Sequence, residues 1–241
     1  MKLQFKHQKF QADAAKAVCD VFAGQPFSNK SYQIDPGKEK QQASLRTVLY
    51  TGFANAPITP KLTREILVSR IQSIQNVHLI KPSEKLEGHG LNLTIEMETG
   101  VGKTYTYIKT IYELNKLYGW SKFIIVVPSI AIREGVYKSF KDTADHFKEE
   151  YNKQIRFFIY NSKNLQDISQ FASDSNINAM IINSQAFNAR GKDARRMYSC
   201  LDEFNGRRPI DVIARTNPIL IIDEPQSVEG KATKESLKDF N

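Results

Sequence analysis

Two hydrophobic rhythms divide the chain. Over residues 4–24, Ala14, Ala17, Val18, Val21 and Phe22 recur at helical spacing on one face, which predicts a helix stopped by Gly24 and Pro26. Residues 61–80 (KLTREILVSRIQSIQNVHLI) repeat an amphipathic helical pattern. Between them, residues 25–44 are polar and carry the turn signal Asp35-Pro36-Gly37, and residues 45–55 hold enough apolar positions for a short strand. Residues 81–90 are polar again, with Pro82, Gly88 and Gly90. From residue 91 the rhythm changes. Strands predicted at 91–97, 123–127, 155–160, 179–183 and 219–222 alternate with helices predicted at 103–118 and near 130–149. Repeated strand–helix units build a parallel sheet with helices on both faces, joined by right-handed crossovers. Continuous apolar runs such as 123–127 and 219–222 suit strands buried on both sides. No internal repeat or long low-complexity segment interrupts the pattern.

Composition narrows this picture only a little. The 241 residues carry a net charge of +8, compatible with a polyanionic partner and equally with a solvated basic surface. Cys19 and Cys200 match no metal spacing or disulfide framework, as expected of reduced thiols in a cytoplasmic protein. No apolar run approaches the roughly 18 residues of a membrane span, and the N-terminus has no apolar core of a signal peptide.

The chemistry concentrates in 97-METGVGKTYTYIKTIYEL-114. Gly102, Lys103 and Thr104 match the end of the phosphate-loop pattern, and Gly100 adds a second flexible position; Met97 stands where the pattern has its first glycine. Backbone N–H groups of such a turn and the positive end of the following helix bind phosphate oxygens. Lys103 is placed to bridge the β and γ phosphates of ATP, and Thr104 to offer its hydroxyl to Mg²⁺. A phosphate loop calls for an acid at the end of another apolar strand. The run 219-ILIIDEP-225 supplies Asp223, to hold Mg²⁺ through water, and Glu224, to orient and deprotonate the attacking water.

Taken together, METGVGKTYTYIKTIYEL, FIIVVPSIAIREGV and IIDEPQ resemble the motor core of superfamily 2 helicases and translocases. More narrowly, the chain is similar to the restriction subunit of type III restriction–modification enzymes over nearly its whole length. The resemblance implies an α/β, RecA-like first motor domain over 91–241, preceded by an N-terminal helix (1–24) and an insertion (25–90). It implies that Thr99, Gly100, Val101, Gly102, Lys103 and Thr104 bind the nucleotide, and that Asp223 and Glu224 are the metal-binding and catalytic acids. Phe10 and Gln11 resemble the adenine-reading element; a surface glutamine on an amphipathic helix is the other reading of Gln11, and His7 and Gln8 are left as surface residues. Pro128, Ser129 and Arg133 resemble a motif that tracks the nucleic-acid backbone, as do Asn183, Ser184 and Gln185. A solvated helix face for Arg133, and capping of the next segment for the second group, stay open beside that reading. The aromatic positions of 105–114 read as core packing.

The family function so implied is ATP-driven movement along duplex DNA coupled to endonucleolytic cleavage, with site recognition by a partner methyltransferase subunit. A second RecA-like domain and a nuclease domain are not in the sequence, so the chain is expected to resemble an N-terminal fragment, with weak ATP binding and little activity of its own. Another superfamily 2 motor, such as a type I restriction motor or a repair helicase, remains an alternative. So does a non-enzymatic nucleotide- or DNA-binding module. A small-molecule kinase leaves the DEPQ and VPSIAIREGV blocks without a role.

Overall fold

The strand Lys122–Val127 (β1) is rich in β-branched residues and is buried along its whole length. It pairs in parallel with Ile177–Asn183 (β3) on one side and with Ile219–Ile222 (β4) on the other. Ile155–Ile159 (β2) completes a parallel sheet in the order β2-β3-β1-β4. These features come from a computed structural model that describes residues 5–28, 32, 52–86, 90–187, 196–200 and 208–228.

Alternate residues of the strands feed two cores. Phe123, Ile125, Val127, Ala179 and Ile181 face the helices Lys9–Val21 (α1), Lys103–Tyr118 (α3) and Ile130–Tyr151 (α4). Ile124, Val126, Met180 and Ile182 face Gln166–Ser173 (α5) and Pro209–Arg215 (α6). Arg64–Val77 (α2) packs beside α1 through Leu67. The parallel α/β sheet with helices on both faces is thus as the pattern predicts, although the short α5 and α6 escaped it.

Boundaries moved where local contacts overrode periodicity. Residues 5–8 are not helical: Phe5 lies against Tyr105 (6.0 Å between ring centroids) and His146 (5.3 Å), and Gln8 makes no side-chain cap for α1. The helix expected from residue 61 starts at Arg64, where Thr63 accepts a hydrogen bond from the Ile66 amide (3.5 Å). The strand expected at 91–97 is not formed. Its alternation is real, with Leu91 and Leu93 packed on the core, but no described strand pairs with it and Ile95 is 43% exposed. β4, expected to be buried on both faces, is only partly so. It is an edge strand among the described residues, and Ile222 is 38% exposed. Asp35-Pro36-Gly37 and most of the 45–55 segment lie outside the described residues; 52–55 carry no strand beyond an isolated bridge at Gly52.

Two buried polar side chains fix the amino end of the sheet. Lys122 is fully buried, and its ammonium donates to the carbonyls of Phe171 and Asp174, at the carboxyl end of α5. The helix dipole and otherwise orphan carbonyls there account for a lysine in the core. Asn55 accepts from the amides of Ser121 (2.7 Å) and Lys122 (3.0 Å) and donates to the Lys122 carbonyl (2.8 Å). Its own amide donates to Thr216 (2.8 Å), and Asn217 donates to its carbonyl (3.1 Å). One residue outside the strands therefore ties the starts of β1 and β4 together.

Removing the Asn55 side chain strands two amides and a carbonyl in the interior, each worth about 1–3 kcal/mol. Asn55→Ala is expected to lower the thermal midpoint by on the order of 10 °C, as read by circular dichroism; a shift within about 2 °C would show that water replaces the clamp.

Candidate nucleotide site at the carboxyl edge of the sheet

Because β3, β1 and β4 are parallel neighbours, the residues that follow them emerge on one edge. Pro128 and Ser129 follow β1, Ser184 follows Asn183 at the end of β3, and Asp223 and Glu224 follow β4. Open parallel sheets form their sites at this edge. The Asp223 amide donates to the Val126 carbonyl (2.9 Å), extending the ladder one residue and fixing where the carboxylate leaves the strand. Glu224 takes a left-handed backbone (φ +51°), a conformation that costs a non-glycine residue roughly 1–2 kcal/mol. The turn is held by the Ser227 amide on the Glu224 carbonyl (2.9 Å), and Pro225 begins a short helical turn, Pro225–Val228.

The glycine loop precedes α3. Gly100 and Gly102 both have positive φ (+82° and +91°). Gly102 is the N-cap of α3, so the first turn of this 16-residue helix takes no side-chain cap from that residue. Thr106 donates to the Gly102 carbonyl with its amide (3.0 Å) and its hydroxyl (3.2 Å). The buried Gln11 of α1 donates its amide to the Val101 carbonyl (2.8 Å). A Cβ on Gly102 would lie 2.5 Å from that same nitrogen, so a side chain there would displace Gln11 and would have to take a positive φ. Thr99 is exposed, Phe10 is 47% exposed, and Met97 is partly buried.

Lys103 and Asp223 come within electrostatic reach of each other. Burial holds the Asp223 carboxyl above its usual range, the Glu224 charge adds to that shift, and Lys103 opposes it. Tyr107, one turn beyond Thr104, has a buried hydroxyl beside the Thr104 side chain without completing a hydrogen bond. Burial raises this phenol, and the Asp223 charge adds to the rise. The structure thus brings Lys103, Thr104, Asp223 and Glu224 to one place, and adds Tyr107, which sequence reading assigned to packing. Its spacing from Thr104 was the available signal, since residues three apart share a helix face.

The nucleic-acid candidates are less open. Ser129 caps α4, accepting from the Ile132 amide (3.3 Å). Arg133 is paired with Glu134 (2.8 Å). Asn183 is half-buried and Ser184 only 8% exposed. The aromatic positions of α3 pack as expected: Tyr112 stacks on Phe147 (5.1 Å) and Tyr151 (4.8 Å).

His7, His146 and Glu150 bring one potential ligand atom each within 4.8 Å of the others. Glu150 already holds the Lys109 ammonium, and His146 Nε2 is 2.8 Å from the Tyr105 hydroxyl. A resident cation and a phenol satisfy these groups, and the cluster ties the segment before α1 to α3 and α4. Cys19 is buried and Cys200 exposed, both free; burial pushes the Cys19 thiol up to about 12.

A four-stranded parallel sheet with helices on both faces and a glycine loop opening α3 defines a RecA-like α/β domain. The chain belongs to the family described as type III restriction enzyme, Res subunit, whose pattern matches residues 65–240. It is 35% identical over 201 residues to the type III restriction-modification enzyme EcoP15I Res subunit of Escherichia coli, covering 75% of this chain and 20% of that protein. It is 31% identical over 192 residues to the EcoPI Res subunit of Escherichia phage P1, covering 72% and 20%. The StyLTI Res subunit of Salmonella typhimurium is 31% identical over 153 residues, covering 56% of the chain and 15% of that protein. The chain therefore spans about a fifth of the length of the first two relatives.

The raised Asp223 carboxyl has a signed consequence. The folded state binds this proton more tightly than the unfolded chain. The stability so contributed is present below the ordinary carboxylate range and is lost as pH rises through the raised value. Above that raised value the ionised Asp223 is thus a net cost to the fold. Asp223→Asn should melt higher than the parent at pH 7 without Mg²⁺, with the difference shrinking towards pH 4 in scanning fluorimetry. An equal or lower midpoint at pH 7 would contradict the burial assigned to this carboxylate.

Proposed function

We propose that this chain is the ATP-binding first motor domain of a type III restriction subunit. The observation that carries this reading is the convergence of Lys103 and Thr104, at the start of α3, with Asp223 and Glu224, at the end of β4. In this reading the loop from Thr99 to Thr104 wraps the phosphates, Val101 lending only its backbone. Lys103 neutralises the β and γ phosphates. Gln11 reads the adenine edge with its amide, the group that meanwhile holds Val101.

The donor set fits Mg²⁺. Thr104 and Asp223 offer oxygen atoms, which suit a hard cation, and the desolvated Asp223 carboxyl gains from a positive charge beside it. Mg²⁺ supplies charge neutralisation on the phosphates when bound. Glu224 stands one residue beyond Asp223, where a general base would take the proton of the attacking water. Its left-handed backbone turns the side chain on a different path from the strand above it.

For the whole protein we propose ATP hydrolysis coupled to movement on duplex DNA and to endonucleolytic cleavage in the cytoplasm, with a methyltransferase subunit as partner. The similarity to Res subunits of type III restriction-modification enzymes supports this. Pro128, Ser129, Arg133, Asn183 and Ser184 lie along the ends of neighbouring strands, and we assign them to the DNA backbone. Main-chain amides carry much of that contact, since Ser184 is buried and Arg133 must leave Glu134. No helix among the described residues is long and apolar enough to cross a membrane. We propose the domain limits 1–24, 25–90 and 91–241 for the N-terminal helix, the insertion and the motor domain.

The test is equilibrium binding of Mg·ATP to the chain and to Lys103→Ala, with ATP turnover followed with and without duplex DNA. Saturable binding weakened at least about tenfold in the variant is expected, since an ion pair to phosphate contributes on the order of 1.5–3 kcal/mol. Equal binding by the two proteins would remove the phosphate loop from the site.

A further inference from the structure

The Tyr107 hydroxyl is buried and has no hydrogen-bond partner among the protein atoms. Its ring packs against the main core, so the side chain is held in place rather than free to swing towards solvent. Buried hydroxyls are nearly always satisfied, and an orphan points to a group that arrives later. Thr104 stands beside it, three residues earlier on the same helix face, and the Asp223 charge at the end of β4 reaches it. A phenol oxygen donates one hydrogen bond and accepts others, so it can serve both. A threonine hydroxyl that gives its lone pair to a cation keeps its proton and needs an acceptor for it.

We propose that Tyr107 is a positioning residue for the magnesium half of the site, its oxygen accepting the Thr104 hydroxyl proton and its own O–H donating to the Asp223 carboxylate. This rests on the nucleotide reading above. The bridge would set the rotamer of Thr104 and the orientation of Asp223 together. Groups that orient metal ligands from behind typically change metal affinity 10- to 100-fold when removed.

The experiment measures the affinity of a fluorescent ADP analogue for the chain, in chelator and across a Mg²⁺ titration, for the parent, Tyr107→Phe and Lys103→Ala. Thermal midpoints without ligand are taken in parallel. Expected for Tyr107→Phe is a midpoint equal to or above that of the parent, unchanged affinity in chelator, and a roughly tenfold higher Mg²⁺ concentration at half-maximal enhancement. An unchanged Mg²⁺ dependence in Tyr107→Phe, or a lowered midpoint showing that the hydroxyl already has a partner, overturns the proposal alone. No analogue binding by the parent, or none lost in Lys103→Ala, overturns the nucleotide reading and the proposal with it.

Discussion

Everything at the candidate site depends on the parallel pairing of β1 between β3 and β4. That pairing is driven by burial on both faces. Phe123, Ile125 and Val127 enter one core, Ile124 and Val126 the other, and none of the five is exposed. Each Å² of apolar surface so buried stabilises the strand by about 25 cal/mol. Parallel direction then does the positioning. It brings the ends of three strands to the same edge without any contact between the site residues themselves. Asn55 and Lys122 act at the opposite edge, where they hold the strand starts and the end of α5.

Several groups at the site carry a cost where they stand. Burial and the neighbouring Glu224 raise the Asp223 carboxyl, Glu224 sits in a left-handed backbone, and the Tyr107 hydroxyl is unpaired. A cation placed between the two carboxylates would relieve the charge part of this cost; the backbone part stays with the fold. The fold tolerates the unpaired state because the two cores and the polar clamp lie elsewhere. Strain at sites is sustained by structure that over-determines it.

Much of this was legible in the residues, and for identifiable reasons. α3 has the bounds that its pattern predicts, and a glycine with positive φ stands on either side of it, Gly102 and Gly119. β1, β3 and β4 were found because continuous apolar runs have few other homes. Lys103, Thr104, Asp223 and Glu224 were found because phosphate and metal chemistry needs those groups at strand–helix junctions. The failures have causes too. Residues 91–97 alternate like a strand, but strandness requires a partner's hydrogen bonds, which no local pattern reports. The short α5 and α6 give too few turns to show a period. Asn55 looked like one more polar residue in an insertion, because its partners lie 66 and 67 residues away. Gln11 was singled out for a ligand, and its bond to Val101, across 90 residues, was not visible.

The contact between α1 and the glycine loop reaches beyond mechanics. Gln11 Nε2 occupies the space a Cβ at position 102 would take. Positions 11 and 102 therefore cannot drift independently as sequences diverge. A larger residue at 102 makes the Gln11 side chain turn away, which gives up the hydrogen bond to Val101, and must also take the positive φ of that position. A change at position 11 can lift the first of these costs but not the second.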